Sequence, residues 1–197
     1  MTYKFAKHEV HCTIDSSNPQ AVELFRKECD AGGIKIIDVQ NGATNVSTHV
    51  MTSTVCHSQP AAGLLLRELR KVASDCDTPL IREKIEVPPN GLDDFVDENS
   101  YFEMHVNVRA ANLQDVVFDR WKWFVSKNTG KAVVRGLPLW MLTARSYSTT
   151  LETFRKSCSG SMNSFRSFID LEEPVFIEKC IYDTNVELDD HWMKPGV

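Results

Sequence analysis

The 197-residue chain is 42% hydrophobic and 25% charged, an ordinary globular composition with length for one large core or two small ones. A net charge of −5 argues against a general pull toward duplex nucleic acid or anionic membrane. No apolar run is long enough to span a bilayer, and MTYKFAKHEV lacks a signal-peptide core, so a cytoplasmic protein is expected.

HEVHCTID opens the chain as a strand with strict alternation. SSNPQAVELFRKECDAGG then predicts a helix. Ser17 or Asn18 caps it, Pro19 takes the first position and Gly32-Gly33 ends it, with Val22, Phe25 and Cys29 as an apolar stripe and Leu24 beside them. Ile34 to Val39 is a short strand and THVMTSTVC a longer one. A helix follows from Pro60, with Leu65, Leu69, Val72 and Cys76 on one side, and LIREKIEV closes the half as a strand before Pro88-Pro89. Strand, helix, strand, strand, helix, strand is the ferredoxin-like, split βαβ order.

The second half reads as a repeat. FEMHVNVRA is a strand, and NLQDVVFDRWKWFVSKNTG predicts a helix from Asn112 to Gly130. KAVVRG and PLWMLTARSYS are strands. Thr149 and Glu152 have capping-box spacing at the start of a helix whose middle, around Gly160, is weak enough to break. PVFIEKCIYD is the last strand. Glu9 and His11 correspond to Glu103 and His105 at an offset of 94, Thr52 to Thr143 at 91, and Glu83-Lys84 to Glu178-Lys179 at 95. The expectation is an α+β protein of two tandem ferredoxin-like repeats with pseudo-two-fold symmetry. Residues 1–90 form the first and residues 91–197 the second, with an acidic C-terminal tail.

Side chains two apart on a strand share a face. Glu9, His11 and Thr13 therefore lie opposite Val10, Cys12 and Ile14, and Glu103, His105 and Asn107 opposite Met104, Val106 and Val108. If the helices cover the apolar face, the polar faces are open and can meet in a cleft, with Arg82 and Lys84 on a neighbouring strand as candidates to hold a phosphate. Thr52 and Thr143 are further candidates to hold a ligand. Polar residues on such a face are often merely solvated. Two histidines at corresponding places weigh the other way, because histidine has no strand propensity to explain them.

His8 reads as exposed beside Glu9, His49 has Trp140 as its counterpart, and His57 lies where it can contact a helix cap. Trp121, Trp123 and Phe124 are too close together to share one helix face. The six cysteines include no C-x-x-C pair or zinc-ligand spacing, which fits a reducing compartment. Walker loop, G-x-G-x-x-G, nucleophile elbow and H-E-x-x-H are all absent.

Three chemistries suit the cleft. Two imidazoles and two carboxylates can hold a divalent metal. Two histidines can act as acid and base on a phosphodiester, or the pocket can bind an anionic small molecule unchanged. His11-Cys12-Thr13 reads H-x-T, and with His105 in a second half this resembles the two-histidine phosphoesterases, bilobal enzymes with one such motif per lobe. The resemblance implies metal-independent phosphodiester hydrolysis with His11 and His105 as the acid/base pair, and Thr13 on the phosphate. Asn107 stands where the second hydroxyl belongs. The metal alternative resembles the vicinal-oxygen-chelate enzymes, also duplicated, with ligands from strands of both halves.

The sequence thus points to a hydrolase or binding protein for a phosphate-bearing small molecule or nucleotide, with Glu9, His11, Glu103 and His105 at its centre and no obligatory cofactor. One rival is a non-catalytic binding or assembly module whose open faces form a homo-oligomer. The other is a metal-dependent enzyme with Glu and His ligands from both repeats.

Overall fold

The computed structural model describes residues 7–41, 47–110, 113, 123–128, 136–165, 170–186 and 188. It is a mixed α+β fold with a large antiparallel sheet and, among the described residues, three helices. The first half runs β1 (His8–Ile14), α1 (Pro19–Ala31), β2 (Lys35–Asn41), β3 (Ser47–Cys56), α2 (Gln59–Asp75) and β4 (Leu80–Val87). After a short strand β5 (Phe95–Val96) come β6 (Tyr101–Arg109), β7 (Trp123–Asn128), β8 (Leu139–Ser146), β9 (Thr149–Thr150), α3 (Leu151–Phe165) and β10 (Asp170–Asp183).

Among the described residues, eight strands close into one barrel in the order β1-β3-β2-β7-β8-β6-β10-β4, with β4 pairing back onto β1. The halves join at two seams, β2 with β7 and β4 with β10. The expected cleft between two sheets is therefore the interior of a single barrel. Closure removes the sheet edges that would otherwise need cover. β5 and β9 form a separate two-stranded ribbon.

Helices lie on the outside, over two apolar clusters. In the first, Val10, Cys12, Ile14 and Val50 meet Phe25 and Cys29 of α1 and Ala62, Leu66, Leu69 and Ala73 of α2. In the second, Phe102, Met104, Val106 and Val108 of β6 and Leu142 of β8 meet Phe154, Cys158 and Met162 of α3. The α1 cap is Asn18, whose side chain accepts the Gln20 and Ala21 amides at 3.1 and 3.3 Å; Gly33, at φ +68°, lets the chain turn out of the helix. Ser58 caps α2, and His57, expected to contact the cap, is exposed beside it. The buried stripe of α2 is centred on Leu66 and Leu69, leaving Leu65 and Val72 half-buried, and Leu24 of α1 faces out.

Other expectations are corrected in the second half. WFVSKN is strand, not the end of a helix: Trp123 is buried and donates its indole N–H to Ser161, and Val125 packs on the same cluster. Aromatic and β-branched residues prefer a pleated surface, and Trp123 and Val125 share its covered face; Trp121 lies outside the described residues. The predicted KAVVRG strand and most of the preceding helix lie outside the described residues. Thr150, not Thr149, caps α3 by accepting the Thr153 amide, while Glu152 pairs with Lys156. The helix passes unbroken through Gly160, because Cys158 and Met162 on either side are anchored in the core.

Phe25 is wholly buried and Leu24, next to it, is half exposed. In equilibrium urea unfolding, Phe25→Ala is expected to lose about 3–5 kcal/mol. Leu24→Ala is expected to change stability by less than about 0.5 kcal/mol.

Candidate functional site

Because Val10, Cys12 and Ile14 face the helices, Glu9, His11 and Thr13 face the barrel interior. β4 alternates in the same way. Ile85 joins the apolar cluster and Glu83 reaches outward to Arg70 of α2, so Arg82, Lys84 and Glu86 point inward. On β6, Tyr101, Glu103, His105 and Asn107 take the inner face, opposite the core residues Phe102, Met104, Val106 and Val108. Strand pairing brings in Thr143 and Arg145 of β8 and Glu178 of β10, placed directly across from His105, Glu103 and Glu103 respectively.

These side chains form a continuous ionic chain through the barrel. His11 Nε2 is 2.9 Å from Glu86 Oε2 and 3.6 Å from Glu9. The Lys84 ammonium contacts Glu86 and donates a hydrogen bond to Glu103. Its contact with Glu86 Oε1 is an ion pair without hydrogen-bond alignment. His105 Nε2 lies 3.5 Å from Glu103 and 3.4 Å from Glu178. The order is Glu9, His11, Glu86, Lys84, Glu103, His105, Glu178. Arg145 adds a two-pronged grip on Glu103 at 2.5 and 2.9 Å, and its guanidinium lies 4.3 Å from the centroid of the Tyr101 ring. Arg82 binds Asp183 at 2.6 and 3.0 Å, and the Tyr101 hydroxyl donates to the same carboxylate.

The hydrogen bonds dictate protonation. His11 Nδ1 faces the Thr52 carbonyl oxygen at 3.1 Å, which can only accept, and Nε2 faces a carboxylate. Both nitrogens must donate, so His11 is an imidazolium in this arrangement. Burial alone would push its pKa down, but the hydrogen bond and charge of Glu86 outweigh that and raise it. For His105 burial also pushes down. The Glu103 and Glu178 carboxylates beside its Nε2 reverse this and lift it to about 10. Burial would raise the Glu86 and Glu103 carboxyls, yet Lys84, with His11 on one and Arg145 on the other, holds both low.

Pairing also revises which residues correspond. Glu9 lies across from Glu86 and Glu103 across from Glu178, so Glu86, not Glu83, is the counterpart of Glu178. Lys179 points outward to Asp94 and is no partner for Lys84. On the other side, the registers of β1 with β3 and of β6 with β8 make Ser53 the counterpart of Thr143. Ser53 donates to Glu9 at 2.6 Å and Thr143 meets His105 Nδ1 at 3.0 Å. Thr52, proposed from sequence, is fully buried on the helix-facing side, where its hydroxyl accepts the Cys12 amide. A slip of one residue reverses the face. Thr13 and Asn107 do lie on the inner face, across from Met51 and Met141, and His8, expected to be exposed, is buried. The sequence reading missed Glu86, Glu178, Ser53, Arg145, Tyr101 and Asp183. Glu86 was within reach, since Arg82, Lys84 and Glu86 alternate in LIREKIEV.

Glu86, Glu103 and His105 bring one ligand atom each within 4.8 Å of one another, close enough for a metal ion. The Lys84 ammonium, however, is in contact with both carboxylates. A divalent ion would have to displace a charged lysine, so these residues as they stand do not fit the metal-centre expectation. Arg82 and Lys84, expected to hold phosphate, are likewise committed to carboxylates.

No family model and no curated protein matches the chain. Two solved structures are slightly similar. A candidate glycine cleavage system transcriptional repressor shares 10% identity at a TM-score of 0.30, over 87% of this chain and 97% of that one. An unknown protein from Galdieria sulphuraria shares 10% identity at a TM-score of 0.30, over 88% and 98%. Similarity this slight carries no argument. Among the described residues, no helix is long and apolar enough to cross a membrane.

Removing the Lys84 charge leaves two buried carboxylates facing each other. Lys84→Met is expected to cost about 3–5 kcal/mol in urea unfolding at pH 7, and adding Glu86→Gln and Glu103→Gln to recover part of it. The folded protein holds the His105 proton more tightly than the unfolded chain does. That contribution is complete below about pH 6.5 and is lost progressively as the pH rises toward about 10. Stability of the wild type is expected to fall over that range by up to about 3–5 kcal/mol. His105→Gln is expected to show a shallower decline in the same titration.

Proposed function

We propose that the chain is a binding protein for a phosphate-bearing small molecule or nucleotide, held by His11 and His105 at the barrel interior. The two halves are read as tandem ferredoxin-like repeats, residues 1–90 and 91–197, whose sheets join edge to edge. One observation carries the reading. Each imidazole ring faces one carboxylate that is partly exposed, Glu9 with 31% of its side chain and Glu178 with 26%, beside one that is only 2% exposed, Glu86 or Glu103. The partly exposed carboxylates are counterions that an incoming phosphate oxygen can replace. A dianionic phosphate displacing two monoanionic carboxylates leaves the charge on the imidazoles balanced. Glu86 and Glu103, deeper and paired with Lys84, stay in place and keep the rings oriented.

The geometry gives less support to hydrolysis. An acid/base pair needs one imidazole neutral at the working pH, and here both rings are flanked by carboxylates that favour the charged form. Assembly through open sheet faces is also less well supported, because barrel closure turns those faces inward.

The test is thermal unfolding with orthophosphate or nucleotides against chloride at matched ionic strength. Phosphate-bearing ligands are expected to stabilise the wild type, by about 2.7 kcal/mol at a hundredfold excess over Kd. The His11→Gln/His105→Gln variant, folded by circular dichroism, is expected to lose that gain. Absence of any phosphate-specific stabilisation of the wild type would overturn the binding reading. Turnover of a 2′,3′-cyclic nucleotide that disappears in the variant would replace it with the hydrolytic one.

A further inference from the structure

The two ends of the ionic chain are unlike in the residue that stands across from each histidine on β4 or β10. Across from His11 on the inner face stands Lys84, buried and tied to Glu86 and Glu103. Across from His105, in the corresponding place, stands Phe176, and half of it is exposed. Residues directly opposite in an antiparallel pair point to the same face, so the Phe176 ring lies on the His105 side of β10. Glu178, the partly exposed carboxylate of this end, is two residues along the same face. The His11 end is filled by a lysine, while the His105 end presents a cation, a replaceable carboxylate and an exposed aromatic ring side by side.

A half-exposed ring alone is unremarkable, but this one shares its face with a histidine and a partly exposed carboxylate. The neighbouring groups say what kind of cover fits. The imidazolium wants an anion, and the ring wants a flat apolar surface at a few ångströms. A nucleoside phosphate carries both, joined by a sugar. Every base offers a face for stacking, whereas a sugar phosphate or inorganic phosphate offers none.

We propose that Phe176 is a stacking platform for the base of a nucleoside monophosphate whose phosphate, held by His11 and His105, replaces Glu178 on the side nearest the ring. This inference rests on the phosphate-binding reading above and names its ligand class. Phe176 discriminates nucleotides from other phosphates, and the two histidines supply the affinity common to all of them. The lysine at the other end leaves no second platform, so one nucleotide binds per chain.

Calorimetric titration with orthophosphate, ribose 5-phosphate and adenosine monophosphate at one ionic strength separates the two layers of the argument. All three are expected to bind the wild type, with the nucleotide about 5- to 150-fold tighter than ribose 5-phosphate, the worth of stacking one base on an aromatic ring. Phe176→Ala is expected to bring the nucleotide down to the ribose 5-phosphate affinity and leave the other two unchanged. Phe176→Trp is expected to keep the advantage, with its indole emission quenched on binding. Because Phe176 is half exposed, both variants are expected to fold, which circular dichroism checks. Equal affinity of nucleotide and ribose 5-phosphate for the wild type would overturn the platform and spare the phosphate site. A nucleotide advantage that survives Phe176→Ala would do the same. Binding of none of the three would overturn both.

Discussion

The barrel interior depends on Lys84. Its ammonium lies between Glu86 of its own strand and Glu103 of the other half, so one cation ties together carboxylates that would otherwise repel at close range. Charges this deep are stable only in company, because each has given up its hydration. Remove the lysine and the low pKa of both carboxyls, the orientation of both imidazoles and the grip of Arg145 on Glu103 lose their common anchor. The network named here sets five carboxylates (Glu9, Glu86, Glu103, Glu178 and Asp183) against five basic groups (Arg82, Lys84, Arg145, His11 and His105). That balance holds only while both histidines are protonated, and the contacts of His11 require it to be.

A polar interior of this kind follows from closing the sheet. Each strand has one face for helices and one for the inside, and the helices already take the apolar face in both halves. An open sheet could leave its other face to water; a closed one must fill the inside with side chains. Filling it with apolar groups would make two cores back to back. Filling it with ions demands that nearly every donor meet an acceptor, and the inner residues of β1, β4, β6, β8 and β10 do so largely through one another. The cost is desolvation. The return is a set of rigid, oriented charges, which is what a selective site requires.

Much of this was legible in the sequence, because strand parity is a strong rule. HEVHCTID and YFEMHVNVR each separate an apolar from a polar face, and the structure keeps that separation at every described position on β1 and β6 between Glu9 and Val108, apart from buried polar groups that point inward. The element order of the first half was readable for the same reason, helped by Asn18, Pro19 and Pro60. What failed was register. Matching Thr52 to Thr143 by likeness of residue put a hydroxyl on the wrong face, when Ser53 was the residue that pairing selects. Matching Glu83 to Glu178 hid Glu86. Residue likeness is a guide to ancestry, whereas hydrogen-bonded pairing decides which face a side chain takes, and a single-residue difference is enough to part the two. The helix predicted through Trp123 failed for a related reason. The spacing of its aromatics was strand-like, and only the hydrophobic partners on β8 and α3 settle which period wins.

The interior also shows how two similar halves can stop being equivalent at a rung where their strands still pair alike. Glu9 with Glu86 and Glu103 with Glu178 are the same arrangement twice, each with a histidine two residues further along. At the next rung the halves part: His11 faces Lys84, and His105 faces Phe176. A lysine can occupy only one of the two places, since its ammonium reaches across to Glu103 of the other half and satisfies both ends at once. A second lysine opposite His105 would add a cation to a network already balanced. An uncharged residue is what electrostatics leaves for that rung, and the ring found there has a flat surface to offer. The asymmetry of the site is thus a consequence of a symmetric pairing scheme that admits a single central cation.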